Sequence, residues 1–284
     1  VKYKILITLV QKPVRRKLTI LPNVLALFLI SLILIADSAR VEAGFKEIKT
    51  ITVLSAPATA TALSNIVNEY STANGYSIAS DYDAPPKHVQ KIVEGEAADL
   101  FITDQPDWID TLKTQGMIDV YSRTNLLKNQ LIVVAERQTA SEISVNAENF
   151  VEKIKAGELE LVIADSQYSG LGHYTSVLLQ KFAADLSADW ANEESIFIAP
   201  YEQDVVREVN ARGSIGIIYA SELRRHENLV KVFDFPEQMQ PDIIYQAVVV
   251  AGENMAVARN MLDFLQKKET IKVFENYGFR SAAN

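Results

Sequence analysis

The nearest approach to a catalytic cluster in this sequence is SDYDAPPKH at residues 80–88, where Asp81 and Asp83 precede a proline pair, a lysine and His88. In a strand, residues two apart face the same side, so the two carboxylates could work together on a proton. The same spacing suits an ordinary helix start, because acidic residues ahead of a helix cap its free N–H groups and meet the positive end of its dipole. Nothing nearby supplies a nucleophile, base and orienter together. His88, His173 and His226 are the only histidines, and no H-x-x-x-H pair exists to hold zinc. The absence of cysteine removes thiol nucleophiles, disulfides and thiolate metal sites at once. G-x-x-x-x-G-K-[ST], G-x-G-x-x-G and G-x-S-x-G runs are also missing; Ser169-Gly170-Leu171-Gly172 is only a short glycine-rich turn. The residue types point away from an enzyme, and neither a metal nor a cofactor is expected.

The groups are positioned by short apolar runs that alternate with helical patterns. Residues 50–54 (TITVL) read as a buried strand, after which Leu63, Ile66, Val67 and Tyr70 recur at helical spacing until Asn74-Gly75. Strand 76–82, helix 85–94, strand 99–103 and helix 106–115 continue the series. This βαβ succession predicts an α/β fold with parallel-rich sheets and helices on both faces. One long strand is expected over 126–135 and a polar helix over 141–157. A second series then follows, with strands at 159–164, 195–199 and 214–219 and helices near 173–186 and 203–211. Strands 229–233 and 242–251 and two last helices close the chain; those helices have no sheet of their own and are expected on the first module. The predicted lobes are 44–130 with 235–284, and 131–234, joined by a hinge of two crossings. Ligands of open parallel sheets bind beyond the carboxyl ends of the strands. That rule selects the loops at 55–59, 83–86, 165–172, 201–204 and 219–221.

The first 43 residues differ in kind. A basic run from Lys2 to Lys17 leads into the apolar stretch VLALFLISLILIA, and Val41-Glu42-Ala43 supplies small residues before Gly44. The order is that of a secretory signal, with cleavage expected near Ala43 and a periplasmic destination; the alternative is an uncleaved anchor. No cysteine follows the apolar run, so a lipid anchor is not expected. The leader holds seven of the 28 basic and two of the 36 acidic residues, which leaves 21 against 34 and a net charge of −13 beyond it. Such a surface repels nucleic acid and favours a soluble monomer.

Several segments, in order, carry a family likeness. Ile51-Thr52-Val53 leading to Ala62-Leu63, Ala98-Asp99-Leu100-Phe101-Ile102, Leu131-Ile132-Val133-Val134-Ala135, Gly216-Ile217-Ile218-Tyr219-Ala220-Ser221 and Phe274-Glu275-Asn276-Tyr277-Gly278-Phe279 together resemble the periplasmic molybdate-binding proteins of ABC importers. The resemblance spans about 50–280. It implies a two-lobed (type II) periplasmic-binding-protein fold that closes on a small ligand, and a membrane permease as partner. Molybdate or tungstate is the ligand it names first, and a sensory or scaffold role is the alternative use of the same architecture. The family's oxyanion is held by serines at two helix starts, by amides of the second lobe and by a tyrosine. The tyrosine falls on Tyr219, and the amides fall near Leu171 and near Val205 or Tyr201. The serine positions fall on Ala58, beside Thr59, and on Ala84 and Pro85, where the hydroxyls are missing and proline removes the N–H as well. Together with Asp83 and Asp204, these changes would disfavour a dianion and suit a ligand with a donor or cationic group.

Overall fold

The structure, a computed structural model, describes residues 49–183 and 194–282. The expected leader and the end of the helix expected over 173–186 lie outside the described residues.

Strand β1 (Thr50–Ser55) is flanked in parallel by β2 (Ser77–Tyr82) and β3 (Leu100–Thr103). Ile51 and Val53 are wholly buried, and every residue of β3 is buried, as a central strand covered on both faces requires. Helix α1 (Ala60–Asn74) buries Leu63, Ile66, Val67 and Tyr70 and ends on Gly75, whose φ of 67° is the left-handed stop that glycine supplies. Helix α2 (Pro85–Val93) starts on the proline pair with Ala84 as its N-cap, and α3 (Asp107–Thr114) follows β3. The remaining strands of this six-stranded sheet are antiparallel: β4 (Thr124–Asn129), β10 (Ile243–Val249) and the short β11 (Arg280–Ser281), in the order β11-β4-β10-β3-β1-β2.

The second sheet has five strands, β5 (Leu131–Glu136), β6 (Leu161–Ala164), β7 (Ile196–Ala199), β8 (Ile215–Tyr219) and β9 (Leu229–Asp234), in the order β7-β6-β8-β5-β9. β6 lies parallel to β7 and β8, while β5 runs antiparallel to β8 and β9. Helix α6 (Gly170–Phe182) follows β6, and α7 (Glu202–Arg212) follows β7. Each sheet is therefore a parallel βα block with antiparallel strands added at one side. The last helices, α8 (Met255–Leu265) and α9 (Lys268–Asn276), pack against α1 and the first sheet, as their lack of a sheet implied.

Two expectations need correction. The run 126–135 is two strands in different sheets, because the chain turns at Gln130: the Asn129 side chain accepts the Gln130 N–H at 2.9 Å and donates to Ser221 at the same distance. The polar run 141–157 is not one helix: it takes in the end of α4 (Arg137–Glu142) and the whole of α5 (Phe150–Lys155). Between them Asn146 accepts the N–H groups of Glu148 and Asn149, while Asn149 accepts that of Asn146, a local pairing that competes with helix.

The sheets change over at Gln130 and again between Asp234 and Ile243. At the first crossing Ala220 N–H reaches Gln130 O, and at the second the Gln240 side chain pairs with both backbone groups of Leu131. The Gln240 clasp thus holds the two crossings side by side.

Candidate ligand-binding cleft

A cavity of about 610 Å³ opens beyond the carboxyl ends of the strands. Its walls come from the segments after β1, β2 and β3 on one side and after β6 and β7, with the end of β8, on the other. A neighbouring cavity of about 300 Å³ shares Pro57, Asp83, Glu202, Gln203 and Tyr219 with it. Both lie where helix N-termini and strand ends converge, the ordinary ligand position of an open α/β sheet.

The residues singled out from the sequence fall unevenly around this space. Ala58, Ala84, Pro85 and Tyr219 line the larger cavity, and Leu171 lines the smaller. Thr59 lines neither: it is buried, with its hydroxyl donating to Ala56 O at 2.8 Å and paired with Ser55 at 2.7 Å. Val205 also lines neither, being wholly buried as the fourth residue of α7, past the turn whose amides lack helical partners. Asp204 is likewise absent from the walls and pairs with Arg207 at 2.7 Å. In its place Glu202, the first residue of α7, lines both cavities.

The carboxylates of SDYDAPPKH are not a working pair. Asp81 is ion-paired with Lys91 and lies 3.6 Å from His88, a buried imidazole that burial holds below its ordinary pKa. Asp83 accepts from Ala84 N–H and from Lys87 at 2.7 and 3.0 Å; although burial acts the other way, these bonds keep its carboxyl below the usual range. His173 lines the larger cavity and His226 the smaller. No group of three potential metal ligands occurs among the described residues.

One wall lies outside the loops selected from the sequence. The segment after β3 brings Asp104, Gln105 and Trp108 into the larger cavity. Asp104 is 4% exposed and accepts the Tyr219 hydroxyl at 2.8 Å, while its backbone oxygen accepts the Tyr174 hydroxyl at 2.6 Å. A partial signal was present: strand 100–103 is followed by Asp-Gln-Pro and a helix, as β2 is followed by Asp-Ala-Pro and α2.

The helix that faces this aspartate begins at Gly170, three residues before the expected position, because Ser169 caps it by accepting Gly172 N–H at 2.9 Å. Backbone closes on Gly172, and side chains close on Gly170. A Cβ on Gly172 would stand 2.2 Å from Asp165 O, and one on Gly170 would stand 2.6 Å from a carboxylate oxygen of Asp104. The glycine-rich turn is therefore the place where the second sheet's helix meets the first sheet's aspartate.

Burial sets the titration of the site. It raises the Asp104 carboxyl against the opposing Tyr219 bond, and it lifts Glu202 to about 8, helped by the charges of Asp104 and Glu222. Glu222 is raised by burial too, despite Arg225 at 3.0 Å. Tyr219 and Tyr245 are pushed up by burial and then by Asp104. Burial thus raises Asp104, Glu202 and Glu222 together.

The fold and this cleft can now be set beside known proteins. A family model described as bacterial extracellular solute-binding protein matches residues 51–280. The chain belongs to that family. Among curated relatives of this solute-binding chain is the molybdate-binding protein ModA of Escherichia coli (strain K12), 27% identical over 81% of this chain and 88% of its own length. Solved structures include the substrate-binding domain of a putative molybdenum ABC transporter from Clostridium difficile, with a TM-score of 0.68 at 18% identity over 82% of this chain and 99% of that one. Another is iron-bound HitA from Pseudomonas aeruginosa, with a TM-score of 0.61 at 12% identity over 80% and 84% of the two chains. The chain is thus a divergent relative of the molybdate binders, and the structural likenesses establish its two-sheet α/β architecture. No described helix is long and apolar enough to cross a membrane.

Proposed function

We propose that this chain is the extracytoplasmic solute receptor of an ABC importer: lobes 44–130 with 235–284 and 131–234 close on a small solute and present it to a membrane permease. The observation that carries the reading is the cavity itself, which gathers the carboxyl-end loops of two sheets joined by two crossings. A few turning residues at such crossings suffice for lobe closure. The likeness to ModA supports an oxyanion such as molybdate or tungstate as solute, whereas iron-bound HitA supports a fold able to hold a cation instead. Ala58, Ala84, Pro85, Leu171 and Tyr219 are the proposed lining contacts inherited from the family pattern, with Asp104 and Glu202 added by the structure. Export to the periplasm behind a leader cleaved near Ala43, and action as a monomer without a cofactor, belong to the same proposal.

A thermal-shift screen over oxyanions, metal ions, amino acids and polyamines tests it. At least one solute should raise Tm by about 5 °C at saturating concentration, since a ligand of the native state stabilises it by mass action. Ala84→Trp, which fills the cleft mouth, should abolish that shift. A screen with no responding solute, or a shift indifferent to the blocked cleft, would overturn the reading.

A further inference from the structure

The cleft already contains a buried carboxyl group of its own. Tyr219 donates its hydroxyl to Asp104 at 2.8 Å, and the same carboxylate lies so close to Gly170 that a Cβ there would stand 2.6 Å from its oxygen. Gly170 is the first residue of the 13-residue helix α6, whose dipole places positive charge at this end and whose Gly172 amide is already taken by the Ser169 cap. A hydroxyl donor and a helix N-terminus together make an anion seat. The occupant is a side chain from the opposite sheet, held in a residue that is 4% exposed.

The other charges argue in the same direction. Glu202 lines both cavities, and the cation that acts on its charge is Arg225, which shares the smaller cavity with it. Asp83 adds a third carboxylate to the wall of the larger cavity, where the basic groups are His173 and a Lys87 that Asp83 already binds. A dianion entering this space would meet the charge of Asp83 and the side chain of Asp104 already on the Tyr219 hydroxyl, in surroundings that screen charge poorly. A cation would do the reverse, giving Glu202 a partner and Asp104 a second one beside the Tyr219 hydroxyl. Trp108 and Tyr201, on opposite walls, offer ring faces suited to an organic ammonium.

We propose that Asp104 is the specificity-determining residue of the cleft: its carboxylate fills the seat in which Tyr219 and the start of α6 would hold an anionic solute, so the cleft rejects oxyanions and takes a small organic cation at Asp104 and Glu202. This deepens, and rests on, the reading of the cleft as a solute site. Without the carboxylate the seat is restored to an external anion, and the cation loses its main partner.

The test measures Tm of the purified chain with 10 mM molybdate, with 10 mM sulfate, and with putrescine, spermidine, arginine and choline in turn. Wild-type protein should ignore both oxyanions and respond to at least one cation. Asp104→Ala should gain a molybdate shift of about 5 °C, and adding Tyr219→Phe should cancel that gain. Asp104→Asn, which keeps the side-chain shape, serves if the alanine variant fails to fold and should weaken the cation response at least tenfold in concentration. A molybdate response in wild-type protein would overturn the specificity assignment and leave the cleft reading intact. So would folded Asp104 variants that keep the wild-type cation response and gain none to molybdate. Silence of every variant toward every probe would overturn the cation assignment, and the cleft reading falls with it only if the wider solute screen is silent too.

Discussion

At the scale of single residues, the site depends on groups whose sequence neighbours say little about them. Tyr219 was legible, because it ends an apolar strand within a recognisable motif, and it stands in the cavity wall. Asp104 was not, since an aspartate after a strand reads as a helix cap until the opposite sheet supplies Tyr219 and Gly170. Thr59 and Val205 line neither cavity: the Thr59 hydroxyl is spent on Ala56, and Val205, expected for its backbone amide, is the fourth residue of its helix. The raised acid groups carry a stability consequence. Glu202, lifted by burial to about 8 from an ordinary value of 4.5, holds a proton in the folded chain that the unfolded chain has released. Its contribution therefore favours folding below about 4.5 and is lost as pH rises through 8. Glu202→Gln should flatten the decline of Tm between pH 5.5 and 8.5 and stabilise the protein by about 1–3 kcal/mol at the upper end. Parallel profiles for the two proteins would show that the carboxyl is not strained.

At the scale of elements, periodicity found nearly every strand and helix, and the misses share a cause. The run 126–135 is apolar at both ends, but Lys128-Asn129-Gln130 interrupts it, and the Asn129 amide turns the chain into a second sheet. In 141–157 the paired Asn146 and Asn149 side chains satisfy backbone groups that a helix would have used. Local polar side chains thus outcompeted the regular element in both places. The start of α6 was placed late because glycines weaken a helical pattern, yet here they permit close contact. Gly172→Ala forces a Cβ within 2.2 Å of Asp165 O and should cost about 1–3 kcal/mol in a denaturant melt, as overpacking does. Gly252→Ala, where no atom lies within 4 Å, is the matched control and should be neutral. Equal effects of the two would show that steric closure of the α6 turn is not what the glycine provides.

At the scale of the whole molecule, the break in the βα rhythm after Gly116 and its restart near 159 announced two sheets, and the structure has two. Their mixed character was less legible, because an apolar run does not reveal the direction in which its partner runs. What no sequence pattern could supply is the charge of the cleft, which depends on loops from both sheets meeting: Asp83 and Asp104 from one, Glu202 from the other. The likeness to molybdate binders names the architecture, and the carboxylates in its seat decide what the architecture can hold. The most direct measurement is a crystal structure of the chain with the organic cation that shifts its Tm most. The account predicts the cationic group within hydrogen-bonding distance of Asp104 and Glu202, enclosed between the two sheets. A solute bound outside the cleft, or an anionic group of it accepting the Tyr219 hydroxyl with Asp104 displaced, would contradict it.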